Sequence, residues 1–173
     1  MSENVYQLDE KKVRRNRKKV ESDYEQLNSI IYRIINPYCK GLDKYVEHIT
    51  DLLHDHTDPP TNDELEQFCL HLSTNIYWAG AMVEHLGIKD DISRAVYKEM
   101  YNRHRDESEG TVADKNSLAE LASQQEYLTN VCYSRAYKIM KSKVENAQEL
   151  LSSCKKVLSH RMQEMELTQI GGR

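Results

Sequence analysis

The sequence predicts an all-α protein whose long amphipathic helices form a bundle. Three observations carry this expectation. Only six Gly and three Pro interrupt 173 residues, while 30% of the side chains are charged; so few breakers among so many charges favour long solvated helices. Apolar residues recur at spacings of three and four along most of the chain, the period of a helix face. No stretch alternates apolar and polar residues as a strand would, and no internal repeat is visible. The length suits one core, and 39% apolar residues with one Phe and one Trp beside eleven Tyr give that core little bulky mass.

The expected layout is a basic N-terminal arm over residues 1–20, a helical domain over 21–104, a polar connection over 105–117, a long C-terminal helix over 118–167 and a tail over 168–173. In the domain, Leu27, Ile30, Ile31, Ile34 and Ile35 lie on one helix face. Pro37 then predicts a kink or short break between Asn36 and Gly41, because it lacks an amide donor and disfavours helical geometry before it. Leu42, Tyr45, Val46, Ile49, Leu52 and Leu53 resume the period.

The segment HTDPPTNDE at 56–64 ends this helix, and Thr61 with Glu64 has the spacing of a capping box that begins the next. Leu65, Phe68, Cys69, Leu72, Ile76, Tyr77, Met82, Val83 and Leu86 form its apolar side. Tyr77 and Trp78 are expected in the core or a subunit interface. Gly87 reads as a C-cap, and Asp90 as the start of a further helix that buries Ile92, Ala95, Val96 and Met100. The stretch RDESEGTVADKNS at 105–117 is polar, contains a glycine and reads as a mobile connection.

From Leu118 to Leu167 there is neither Gly nor Pro, so one helix of about 75 Å is expected. Met140, Val144, Ala147, Leu151, Cys154 and Leu158 alternate at fours and threes like the seam of a coiled coil. Because this stripe exceeds what short preceding helices would cover, these six are the candidate interface of a homo-oligomer.

No run approaches the roughly 18 to 20 apolar residues needed to span a bilayer, and no apolar secretion signal opens the sequence. A soluble cytoplasmic protein without membrane contact is expected. Cys39, Cys69, Cys132 and Cys154 lie far apart within apolar patterns, which favours buried reduced thiols over a disulfide framework or zinc site. A Gly-rich phosphate loop, a GxSxG elbow and HExxH are all absent, so the chain is read as a non-enzyme with no cofactor. Glu47, Asp51 and His54 share a helix face, with His48 and His56 nearby. A di-iron bundle needs paired ExxH motifs, none of which occurs, and histidines ending a helix suit its macrodipole, so no metal is expected.

Charge is segregated beneath a formal net of −4. Residues 1–20 carry net +4 and residues 134–161 net +5, while residues 43–126 carry net −11. The run KKVRRNRKK at 11–19 holds seven positive charges in nine positions. It suits a polyanionic partner such as nucleic acid, or else a solvated helix end. At 100° per residue these charges point all round a helix, as on a projecting arm. Tyr97 and Tyr101 interleave with Arg94, Lys98, Arg103, His104 and Arg105, a combination that serves single strands, whose bases stack and whose phosphates meet cations. The alternative is that the tyrosines merely edge the apolar face.

The helical stretch from Leu65, the basic and aromatic SRAVYKEMYNRHRDESEG, the polar connection, and LASQQEYLTNVCYSRAYKIMKSKVENAQELLSSCKKVLSHRMQEM resemble in order and spacing the UvsY-type recombination mediators of tailed phages. The resemblance covers roughly residues 65–167. It implies a small all-helical protein that assembles into rings through C-terminal helices, binds single-stranded DNA and helps a RecA-like recombinase displace the single-strand-binding protein. Its setting would then be the host cytoplasm. In that family a basic motif of the KARL type serves DNA binding. Lys98 matches its lysine, whereas Met100 stands at its arginine, leaving Arg103 and Arg105 as the nearest substitutes. The first sixty residues have no counterpart there.

The candidate nucleic-acid contacts are therefore Lys11, Lys12, Arg14, Arg15, Arg17, Lys18 and Lys19 on the arm; Arg94, Lys98, Tyr101, Arg103 and Arg105; and Arg135, Lys138 and Lys141. The competing expectation is a helical interaction or scaffold protein, a virion component or an inhibitor of a host enzyme, which leaves these charges solvated.

Overall fold

A computed structural model describes residues 10–54 and 59–171, with side chains over 11–54 and 59–167. The described chain is helical almost throughout: α1 (Glu10–His54), α2 (Asn62–Glu107), α3 (Val112–Ala122) and α4 (Gln124–Gly171). Among the described residues there is no strand, and no helix is long and apolar enough to cross a membrane.

Three long helices make an antiparallel bundle in which α1 and α4 run parallel and α2 runs against both. Specific contacts fix this sense: Lys143 meets Asp43 at 2.6 Å, Asn62 lies against Met165, and the Asn130 side chain reaches Asp90. α2 and α4 form the principal hairpin, and α3 folds back on the C-terminal end of α2. Ile31, Ile35, Cys39, Leu42 and Ile49 of α1 pack with Leu65, Phe68, Leu72, Ile76 and Leu86 of α2 and Cys132, Ala136, Met140 and Val144 of α4. The helical period places each set on one face, so a single apolar seam runs between the three rods.

The seam does not extend to the start of α1. Every side chain from Lys11 to Gln26 is exposed, and Ile31 is the first to be buried. These sixteen residues make a helical extension of about 24 Å. Below it α1 rejoins α4 gradually, leaving an open groove of about 980 Å³ between Leu27, Ile30 and Ile34 on one side and Leu128, Cys132 and Tyr133 on the other.

Capping boxes start α2 and α3. Thr61 accepts from the Glu64 amide while its own amide donates to the Glu64 carboxylate, and Thr111 and Asp114 repeat the arrangement. The Thr61 amide and hydroxyl hold the Glu64 carboxyl below its ordinary range, and the Thr111 hydroxyl and amide do the same for Asp114. All four cysteines are free and buried, as their apolar settings predict.

Several sequence expectations are corrected. Pro37 lies inside a continuous α1; Ile35, Cys39 and Leu42 are buried on both sides of it and hold the rod against the bundle. Gly87 and Asp90 do not divide α2, which runs unbroken past both. Gly87 sits where a Cβ would come within 3.4 Å of the Tyr137 ring, so close helix packing explains this glycine better than a cap. Asp90 is buried, with Arg94 and Asn130 donating to its carboxylate. The polar connection is shorter than expected, because α2 continues to Glu107 and α3 begins at Val112.

The single C-terminal helix is in fact α3 and α4, parted at Ser123. This buried serine keeps its amide bond to the Ala119 carbonyl at 2.9 Å but adds its hydroxyl to the same oxygen at 2.7 Å, a back-bond that bends helices, and its backbone leaves helical geometry at φ −96° and ψ 16°, without Gly or Pro. α4 continues through Gly171, leaving only residues 172 and 173 of the expected tail outside the described part. Met140, Val144, Ala147 and Cys154 are buried within the chain's own bundle, and Leu151 and Leu158 pack against it. They are therefore not an open interface, because the preceding helices are as long as α4 and cover its stripe. A further correction concerns α2, whose Ile92, Ala95 and Val96 are exposed rather than buried, while Tyr77 and Trp78 lie outside the core of the chain.

Candidate nucleic-acid interface

The expected contact residues fall on three separate surfaces. The first is the arm. Lys11, Lys12, Arg14, Arg15, Arg17, Lys18 and Lys19 are all exposed on the α1 extension. From Arg14 onward these five form no ion pair with any described residue. Their charges project in every direction about the rod, as 100° steps require.

The second surface is the C-terminal end of α2, which the antiparallel packing sets at the same end of the bundle as the arm. Arg94, Lys98, Tyr101 and Arg105 follow one another at four, three and four residues and so share a face, whereas Arg103 points away from it. Most of the cations are already partnered. Arg94 donates to Asp90 at 3.0 Å and reaches Asp91 at 3.9 Å, Arg103 meets Glu99 at 3.1 Å, and Arg105 meets Asp106 at 3.2 Å. These exposed pairs are worth little and can be exchanged for phosphate contacts, but they dilute the local positive field. Lys98 is exposed and has no ion pair among the described residues.

Tyr101 is half-buried, and its ring stands 6.3 Å from Tyr97, which in turn lies 5.5 Å from Tyr127. Tyr127, half exposed at the start of α4, is an aromatic neighbour that sequence reasoning missed. No local signal marks it, since only the α2–α4 hairpin brings it to Tyr97. The three rings give an aromatic ledge beside the row of cations, the pairing of surfaces that single strands use.

The third surface is the outer face of α4. Arg135, Lys138 and Lys141 are exposed there, three residues apart, so each turns about 60° from the last and they spread across the face rather than along one line. Lys141 lies 3.9 Å from Glu145. Lys143, from the same basic segment, instead joins α4 to α1 through Asp43.

At the other end of the bundle, Glu47, Asp51 and His54 are exposed on the last turns of α1, while His56 lies outside the described residues. No group of three or more metal-ligating side chains converges among the described residues. No family model, curated protein or solved structure matches the chain.

Proposed function

We propose that the chain is a non-enzymatic accessory protein that binds single-stranded DNA, in the manner of a phage recombination mediator that assists a RecA-like recombinase against the single-strand-binding protein. The observation that carries this reading is the α1 extension, an exposed helix outside the apolar seam with seven cations, of which the five from Arg14 to Lys19 form no ion pair with a described residue. A compact bundle gains nothing in core burial from such an extension, whereas a polyanion gains a charged rod to lie along. The nearby Lys98 and the Tyr97, Tyr101 and Tyr127 ledge add a second contact zone for the same strand. The mechanism is electrostatic, with several weak sites made effective together by their linkage in one chain.

Fluorescence polarisation with labelled oligo-dT tests it. Micromolar or tighter binding is expected, with log affinity falling by about 0.7 per phosphate neutralised for each log unit of salt. Absence of binding at about 50 mM salt overturns the proposal.

One observation favours a second reading, a helical interaction or scaffold protein. α2 carries exposed apolar residues on its outer side in two runs, Leu70 to Ala81 and Ile88 to Val96, and patches of that extent mark protein contacts. On this reading the arm is solvated, and oligo-dT leaves the polarisation signal unchanged.

A further inference from the structure

The outward face of α2 is not dressed for water. Leu70, Tyr77, Trp78, Ile88, Ile92 and Val96 are between 46% and 73% exposed, joined by Ala81 and Ala95. Leu70, Thr74, Tyr77 and Ala81, and then Ile88, Ile92 and Ala95, follow the three-and-four spacing of a coiled-coil seam on the side of α2 turned away from the bundle core, the two runs parted by the exposed Glu84 and His85. The six large residues together expose on the order of 800 Å², the share that one partner contributes to a standard interface.

Beside this row lies a pocket of about 360 Å³ between α2 and α4, walled by Ile92, Val96, Thr129 and Tyr133. Glu126 also lines it, and its Oε2 is buried with no hydrogen-bond partner. An unpaired buried carboxylate oxygen asks for a donor. Trp78 supplies one on the same side of α2: a large exposed ring whose indole N–H donates no hydrogen bond among the described residues.

We infer that two copies of this chain pair antiparallel along the outer face of α2, each placing Trp78 in the partner's pocket, where the indole N–H meets Glu126. A two-fold axis midway between Trp78 and Ile92, at His85, makes knob and pocket coincide in both copies at once, as an isologous interface requires. The same axis sets Leu70 level with Met100 and Tyr77 level with Ser93 along the helix. It also sets Glu66 within one residue of the level of the other copy's Arg103, whose present partner is the exposed Glu99. A parallel pairing would hold Trp78 level with the other copy's Trp78, about 21 Å along the helix from Ile92 and the pocket, so knob and pocket select the antiparallel sense. The two basic arms then project at opposite ends of the pair. This interface is distinct from the α4 seam, which the monomer uses for itself.

Trp78 is the only tryptophan in the chain, so its fluorescence reports directly on the proposed burial. Sedimentation velocity and emission spectra across a concentration series are expected to show the mass doubling together with a blue shift. Because Trp78 is exposed in the monomer, Trp78→Ala leaves folding intact by circular dichroism and weakens pairing on the order of 30-fold, the effect of losing a central interface residue. Glu66→Arg and Arg103→Glu each weaken pairing alone and restore it when combined. A monomer at all concentrations, a dimer without the emission shift, or a dimer indifferent to Trp78→Ala and to both single charge reversals overturns the inference.

Discussion

Replacing Ile35 by Ala tests whether α1 is a separable layer on an α2–α4 hairpin. Ile35 is fully buried, the second of the five buried α1 residues that hold the helix down. The substitution removes three carbons, each worth about 0.8 kcal/mol of burial. The cavity left behind adds to this, giving about 3 kcal/mol, within the usual span for Ile to Ala. Such a loss multiplies the opening equilibrium of α1 by about 150. It should be local, because Leu65, Phe68, Cys132 and Ala136 continue to join α2 to α4. Native-state hydrogen exchange read by mass spectrometry resolves the outcome. Peptides covering residues 31–49 should lose protection by the full factor while those covering 65–86 and 132–147 lose much less. Equal loss in all three helices refutes the layered picture, as does an unchanged α1.

Neutralising Arg14, Arg15, Arg17, Lys18 and Lys19 to Gln is expected to weaken oligo-dT binding and flatten its salt dependence. Since the charges surround the helix, about three face any one strand, so the log–log slope should fall by about 2; an unchanged slope removes the arm from the interface. Burial and the Asp43 side chain raise the Cys39 thiol to about 11. At pH 8 only about one thiol in a thousand is then ionised, so a thiol reagent should modify Cys39 in the folded protein far more slowly than in denaturant. Because Cys39 binds its proton more tightly in the folded chain than its ordinary value of 9.0 allows, the folded state holds more protons there above pH 9. Chemical denaturation midpoints should therefore fall as pH rises from about 9 to 11. At the acid end, the lowered carboxyls of Glu64 and Asp114 contribute above their ordinary values, and that contribution is lost as pH falls through their depressed folded values. Thr61→Ala and Thr111→Ala should each make that acid limb shallower.

Helix content and most of the core were legible because Ile31, Ile35, Leu42, Leu65, Leu72 and Met140 obey a period that depends on backbone geometry alone. The errors arose where a residue had two uses. Gly87 suits a cap through its freedom of φ, yet it serves the approach of Tyr137, and nothing near it in sequence announces that ring. Asp90 suits a cap through its short acceptor, whereas its partner Asn130 lies on another helix. Ser123 ends α3 through a bond to its own helix that any serine could make, so the break carried no visible mark.

The most consequential ambiguity lay in α2. Its apolar residues occupy two faces, one with Leu65, Leu72, Ile76 and Leu86 and one with Leu70, Tyr77, Ile88 and Ile92. Periodicity identifies each face as apolar but cannot rank them, because either would fill a core equally well. The choice is made by α1 and α4, which together can cover only one side of a rod. Once they cover the first, the second remains outside, and the surplus apolar surface sought on α4 is found on α2. That relocation also separates the two activities considered for the chain. The proposed self-association uses the outer face of α2, while the cations proposed for DNA lie chiefly on the arm and at the bundle end. A substitution at Trp78 should thus change mass without abolishing oligo-dT binding by the monomer, and loss of the arm's charges should change DNA affinity without changing mass.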